Sequence, residues 1–141
     1  MDPLSLIASI TAVLQLAELV VRCLSRIRLA SATYRQLVEE ISSVTGLLYH
    51  IKGLAADADD HNDGSFGMSI VHLSAPNGPL EQLESSLRRA KERMRSSNPR
   101  PGLAITLAAV QPFAKAEVAE IIGVMERQKT LLLLALQGHH M

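Results

Sequence analysis

The sequence predicts an all-α fold, a helical bundle of four main helices plus one or two short helices, with the N-terminal helix central. Hydrophobic residues make up 48% of the 141 residues and aromatic residues only 3%, with no Trp. Such a core must be aliphatic, which favours helices over sheets. Apolar residues also recur at steps of three and four along most of the chain. A chain of this length fits one domain, so we expect residues 1–141 to form a single bundle.

The first predicted helix, residues 3–29, contains the most hydrophobic stretch of the chain, Pro3 to Val21. Asp2 followed by Pro3 is typical of a helix start, because a carboxylate caps free amides and proline is tolerated in the first turn. Arg22 follows Glu18 by four residues, which predicts an ion pair along the helix. The polar residues form one narrow stripe, so we expect burial on most sides. That stripe comprises Thr11, Gln15, Glu18, Arg22 and Arg26.

Three interpretations of this stretch compete. A secretory signal needs a basic start and a small-residue cleavage site, and neither is present. A transmembrane span needs about 20 predominantly apolar residues, but Gln15 and Glu18 interrupt this one. We therefore favour a buried helix of a small bundle, and conditional insertion into a membrane stays open.

The second predicted helix covers residues 32–57 and has one apolar face. Gly46 lies outside that face and is interpreted as tolerated in the helix. The segment from Asp57 to Gly67 is predicted to be a loop, and its aspartates do not match the spacing of a calcium-binding loop. The apolar face comprises Tyr34, Leu37, Ile41, Val44, Leu48, Ile51 and Ala55.

The third predicted helix covers residues 79–97 and follows the turn sequence Pro76-Asn77-Gly78-Pro79, in which Asn77 or Gly78 caps the helix. Short helices are predicted at about residues 66–73 and 102–110. The inner face of the third helix comprises Leu80, Leu83, Leu87, Ala90 and Met94.

The end of the third helix carries the only concentrated charge in the sequence. Five basic residues and one acidic residue, Glu92, lie between positions 88 and 95. One interpretation is a surface for anionic lipid or an acidic partner. The other is a solvated helix end with ion pairs such as Glu84 with Arg88. Nucleic acid is not expected, because no aromatic residues are interleaved to stack on bases. The basic residues are Arg88, Arg89, Lys91, Arg93 and Arg95.

The fourth predicted helix covers residues 113–137. Its last turns, Leu131 to Leu136, are apolar on every side, so this end must be covered or paired. Its inner face comprises Phe113, Val118, Ile121, Ile122, Met125 and Leu132.

The chain lacks the sequence signatures of common enzymes. Phosphate-binding glycine loops, zinc-protease motifs and nucleophile elbows are all missing. The single cysteine, Cys23, is interpreted as structural, and it suits a reducing compartment. Basic and acidic residues balance at 14 each, so no global charge directs the chain to a partner. We therefore expect a non-enzymatic cytoplasmic protein without cofactor or metal.

Three segments carry a family resemblance: the opening MDPLSLIASI, the central APNGPLEQLESSL and the closing QPFAKAEVAEIIGVMERQKTLLLLALQ. In this order and spacing they resemble the HeLo-like N-terminal domain of fungal NOD-like receptors, which are STAND proteins with NACHT and repeat domains. Two departures are Gln111, where such sequences commonly carry a Trp, and the absence of a Trp-containing helix between Asp57 and Ser74.

The resemblance implies an all-helical effector domain related to the HeLo and HELL cell-death domains. It implies self-association, contacts with related helical-bundle domains, and recruitment to the plasma membrane, with the N-terminal helix inserting. An adaptor-type homotypic interaction module without membrane activity is the alternative. The segment that corresponds to the inserting helix includes Pro3, Leu4, Leu6, Ile7, Ile10, Val13, Leu14, Leu16 and Leu19.

Overall fold

Four α-helices and one short 3-10 helix make up the part of the chain that the structure, a computed structural model, describes: residues 3–26, 32–60, 72–96 and 115–140. Helix α1 spans Pro3–Ser25 and α2 spans Ala32–Asp60. The 3-10 helix spans His72–Ser74, α3 spans Pro79–Ser96 and α4 spans Lys115–His140. No strand occurs within these ranges. The predicted all-α helical bundle is confirmed.

The four helices form a ring around one hydrophobic core. Helix α1 packs against α2 and α3, and α4 packs against the same two helices from the other side. Each helix contributes fully buried side chains to the core, among them Ile10, Leu48, Leu87 and Met125. Burial of these aliphatic groups is the main stabilising term of such a bundle.

The apolar faces predicted for α2, α3 and α4 are confirmed wherever the structure describes their side chains. All seven residues of the α2 face are buried, from Tyr34 to Ala55. Gly46 lies away from this face with no atom near its missing Cβ, so its interpretation as a tolerated residue is also confirmed. The buried residues of the other two faces are Leu80, Leu83, Leu87, Ala90, Val118, Ile121, Ile122, Met125 and Leu132.

Helix α1 occupies one corner of the ring, not the centre expected for it. It has two main neighbours and buries a single stripe that runs from Leu6 to Leu24. Ala8, Ala12 and Gln15 are exposed on its other side. The expectation counted alanine with leucine, but an exposed alanine leaves little apolar area in water, so this face needs no cover. The stripe comprises Leu6, Ile10, Val13, Leu14, Ala17, Val20 and Leu24.

Helix α3 begins with a tight turn that requires glycine. Gly78 donates a hydrogen bond to Ala75 O at 2.8 Å, and its carbonyl accepts the first bond of the helix from Gln82 N. Glu81 reaches back to accept from the backbone N–H of Asn77, the residue before the cap, at 2.7 Å. A Cβ on Gly78 would lie 2.8 Å from Ala75 O, and Asn77 has a positive φ of 59°. Gly78 is therefore the capping residue.

Several predicted boundaries differ from those observed. Helix α1 ends at Ser25, four residues before the predicted end, in a turn closed by a bond from Arg26 N to Cys23 O. Helix α2 runs three residues past Asp57, and α4 continues to His140. Neither Gly nor Pro lies between Asp57 and Asp60, so nothing there forces the helix to end.

Some predictions fall on parts of the chain outside the described residues. These are the capping role of Asp2, most of the predicted loop from Asp57 to Gly67, the side chains of Met94 and Arg95, the whole of the predicted helix at 102–110, and Phe113. Of the predicted helix at 66–73, only residues 72 and 73 are described, and they belong to the 3-10 helix His72–Ser74.

Candidate functional site

The predicted inserting segment forms most of α1. Leu6, Ile10, Val13 and Leu14 are buried in the core, whereas Leu4 is 59% exposed. Ile7, Leu16 and Leu19 are half-buried at the edges of the stripe. The structure describes the backbone of Pro3 as the first residue of the helix. Most of the large apolar side chains of α1 thus face the bundle.

Among the described residues, α1 is the one helix that is long and apolar enough to cross a membrane. The qualifying part, Leu4–Ser25, has 22 residues and a mean hydropathy of 2.0, and about a third of its most apolar window is buried. Length and composition alone are weak evidence, because the core helix of a soluble protein and a signal sequence pass the same test.

An exposed tyrosine connects α1 to α2. The hydroxyl of Tyr49 donates a hydrogen bond to Glu18 Oε1 at 2.8 Å. This contact raises the pKa of Tyr49, because the carboxylate bonds to and stabilises the neutral phenol. The ion pair predicted between Glu18 and Arg22 does not form in the described structure. The sequence signal for this contact, which was not used, is that Tyr49 is an aromatic residue on the polar side of α2.

A shallow cleft lies beside this contact. It encloses about 370 Å³ between α1 and α2, and Ala17, Val21, Arg22 and Ser42 form part of its wall with Glu18 and Thr45. Thr45 Oγ1 already donates to the Ile41 carbonyl at 2.6 Å. The cleft offers few unengaged polar groups to position a small ligand.

The basic residues predicted on α3 are largely paired. Arg88 Nη2 lies 2.5 Å from Glu84 Oε1, so the pair predicted within the helix is confirmed. Lys91 is half-buried and forms no ion pair with any residue that the structure describes. The side chain of Arg95 lies outside the described part.

Two further arginines of α3 bind α4 in a way that the sequence did not predict. Arg89 donates from Nη1 and Nη2 to the two oxygens of Glu120, at 2.9 and 3.4 Å. Arg93 donates from Nε to Glu117 Oε2 at 2.8 Å and from Nη2 to Glu117 Oε1. As the residue number rises along α3 it falls along α4, so these helices are antiparallel. We call these two pairs the α3–α4 clasp.

The clasp changes the acidity of its members. The hydrogen bond from Arg93 lowers the pKa of Glu117, so this carboxylate is ionised at neutral pH. Contact with Glu120 and with Glu117 raises the pKa of Arg89 and of Arg93, respectively. Opposite charges at this distance favour the charged form of both partners.

The apolar end predicted for α4 is partly covered. Leu132, Ala135 and Leu136 are buried, but Leu131, Leu133 and Leu134 are 43%, 44% and 56% exposed. We call these three exposed residues the leucine end of α4.

Polar groups also occur in and beside the core face of α4. Gln128 is only 6% exposed, and its Oε1 has no hydrogen-bond partner among the described residues. The next residue, Lys129, forms an ion pair with Glu40 of α2. The core face of this helix is therefore not purely aliphatic, although the composition predicted an aliphatic core.

The described residues assemble no group of three potential metal ligands. Cys23 is a free, half-buried thiol on α1. Comparisons of this chain with protein-family models, with curated proteins and with solved structures found no match. The resemblance to HeLo-like domains thus depends on the three quoted segments alone.

Proposed function

We propose that this chain is a non-enzymatic effector or signalling domain of a fungal NOD-like receptor type of immune protein. It promotes programmed cell death by self-association at the plasma membrane, and α1 inserts into the bilayer. The observation that carries the proposal is α1 itself, which has the length and hydropathy of a membrane span and is exposed along one side. The HeLo-like resemblance supplies the biological setting.

The two environments of α1 make different demands on its surface. In the bundle, the large side chains from Leu6 to Leu24 must be covered, whereas Ala8 and Ala12 remain in water. In a bilayer, the whole circumference faces hydrocarbon, and alanine and leucine are both tolerated there. A charge placed on the exposed side would therefore interfere with insertion without disturbing the folded bundle.

The test is dye release from anionic liposomes by monomeric and oligomeric fractions. The substitution Ala12→Asp introduces a charge at an exposed position, and an aspartate at a bilayer centre costs about 2.5–3.5 kcal/mol on insertion scales. We expect this variant to keep its folded circular dichroism spectrum and to lose dye release. Ser43→Asp, at an exposed position of α2, is the matched control and should leak like the wild type. Equal release by all three proteins would contradict insertion of α1.

A homotypic interaction module without membrane activity is the second candidate. The leucine end of α4 favours it, because three neighbouring leucines in water form a surface that association would cover. The substitutions Leu131→Ser and Leu134→Ser together should abolish self-association in light scattering and leave the monomer folded. A wild-type chain that stays strictly monomeric at high concentration would exclude this candidate.

A further inference from the structure

The basic surface of α3 is occupied by the chain's own carboxylates. In the α3–α4 clasp, two arginines come from one helix and two glutamates from the other. Each guanidinium contacts both oxygens of its partner. This bidentate hydrogen-bond geometry suits a phosphate group as well as a carboxylate.

Both pairs lie at the surface, where another anion can replace the glutamates. The side chains of Arg89 and Glu120 are 52% and 58% exposed, and those of Arg93 and Glu117 are 48% and 21% exposed. Water and salt weaken pairs of this kind, so exchange of one anion for another leaves no charge buried and unpaired.

We infer that the α3–α4 clasp is an autoinhibitory contact in which Glu117 and Glu120 occupy the positions that phosphate groups of an anionic membrane take up when α4 separates from α3. In the closed bundle, both arginines are neutralised locally and attract anionic lipid weakly. In the opened bundle, they join Lys91, which forms no ion pair with any described residue, as a basic surface along α3.

The choice of a lipid surface as ligand rests on the membrane activity proposed above. A membrane presents many phosphates in one plane, which can engage several basic residues spaced along one helix at once. The same separation of α4 from α3 uncovers the core of the bundle, so charge and apolar surface become available together.

Two double variants remove the same ion pairs but leave opposite charges behind. Glu117→Gln with Glu120→Gln frees the arginines, whereas Arg89→Gln with Arg93→Gln frees the glutamates. Both lose the clasp, so any effect of a loosened bundle is common to both. Only the first pair of substitutions leaves the basic groups available.

The experiment is co-sedimentation with vesicles of phosphatidylcholine and phosphatidylserine in equal parts, compared with vesicles of phosphatidylcholine alone. We expect the glutamate variant to bind the anionic vesicles about threefold or more tighter than the wild type, and the arginine variant to bind no tighter. Thermal unfolding of both variants checks that they fold. If a double variant does not fold, Glu120→Gln alone, at the more exposed pair, is compared with Arg89→Gln.

Equal binding by the two double variants would overturn the inference, because a loosened bundle would then account for the result. Unchanged binding by the glutamate variant would overturn it as well. A competition with poly-glutamate tests the choice of lipid as ligand. If poly-glutamate displaces the glutamate variant from vesicles and binds it more tightly than lipid does, the lipid assignment is overturned in favour of an acidic protein. Tighter anionic binding without dye release would support the clasp and contradict the proposed function. If dye release is the same for the wild type and both double variants, the autoinhibitory role of the clasp is contradicted and the proposed function is not.

Discussion

Lys129 of α4 donates a hydrogen bond to Glu40 of α2, with 3.0 Å between Lys129 Nζ and Glu40 Oε2. The two side chains are 28% and 18% exposed, the least exposed ion pair among the described residues. It joins residues 89 positions apart in sequence. Its position beside the core makes it more sensitive to the loss of one partner than the exposed pairs of α3.

Loss of the lysine charge should destabilise the bundle. The substitution Lys129→Met leaves the half-buried Glu40 carboxylate without its partner, and we expect the free energy of unfolding to fall by about 1–2 kcal/mol. Urea denaturation followed by circular dichroism measures it. The double variant Glu40→Gln with Lys129→Met should recover most of the loss, because the unpaired charge is gone. A single variant as stable as the wild type would show that water already solvates this pair.

Gln128 should be replaceable by an apolar residue with a gain in stability. Its Oε1 is buried without a partner among the described residues, and such a group costs roughly 1–3 kcal/mol. We therefore expect Gln128→Leu to raise the free energy of unfolding by about 1 kcal/mol. Gln137→Leu, at an exposed position of the same helix, is the control and should give no gain. A destabilised Gln128→Leu variant would mean that the amide makes a bond that leucine cannot replace.

Alanine substitution at two glycines should change the stability of the bundle in opposite directions. Gly46 lies exposed within α2, and a Cβ at this position would have no other atom within 4 Å, so Gly46→Ala should stabilise the helix by about 0.5–1 kcal/mol. Gly78→Ala should destabilise the bundle, because its Cβ would meet Ala75 O at 2.8 Å. Thermal unfolding of the two variants in parallel checks both signs. A stabilising Gly78→Ala would contradict the tight turn before α3.

In the same thermal unfolding assay, substitution of a core residue of α1 should destabilise the bundle far more than substitution of its exposed leucine. Ile10 is fully buried, so Ile10→Ala should cost about 2–5 kcal/mol through lost burial and the cavity that remains. Leu4 is 59% exposed, and Leu4→Ala should change stability by less than about 0.5 kcal/mol. Similar losses in both variants would mean that Leu4 is covered as well as Ile10.

Periodicity predicted which face of a helix is buried better than it predicted how many neighbours cover the helix. Every residue expected on the inner face of α2 is buried, because steps of three and four leave one possible face. For α1 the polar stripe was predicted correctly, since Gln15, Glu18, Arg22 and Arg26 are exposed. The burial expected on most other sides was wrong, because Ala8 and Ala12 also face water. Composition indicates how hydrophobic a helix is, but the number of its neighbours depends on how all four helices pack.

Of the two ion pairs predicted within a helix, Glu84 with Arg88 forms and Glu18 with Arg22 does not, and the pairs between helices were not predicted. Glu84 and Arg88 are four residues apart on one helix, so their contact follows from helix geometry. Arg93 and Glu117 meet only because α3 and α4 are antiparallel in one particular register. The sequence showed a basic helix end, and the acidic groups that neutralise it come from another helix.

The clasp should make stability depend on pH in the acidic range. Arg93 lowers the pKa of Glu117 in the folded chain, so the folded state holds this proton less tightly than the unfolded state, where a glutamate titrates at about 4.3. The stabilisation is therefore fully present above that value and is lost as the pH falls through the folded pKa. Urea unfolding of the wild type and of Glu117→Gln, at a series of pH values from about 6 to 3, measures it.

We expect the stability difference between wild type and Glu117→Gln to be constant near neutral pH and to shrink on acidification. Arg93→Gln is the matched control, because without the guanidinium the pKa of Glu117 returns towards its ordinary value and the excess acid sensitivity disappears. Added salt should reduce the difference as well, since both side chains contact water. A difference that stays the same over the whole pH range would show that Arg93 does not stabilise the ionised carboxylate of Glu117.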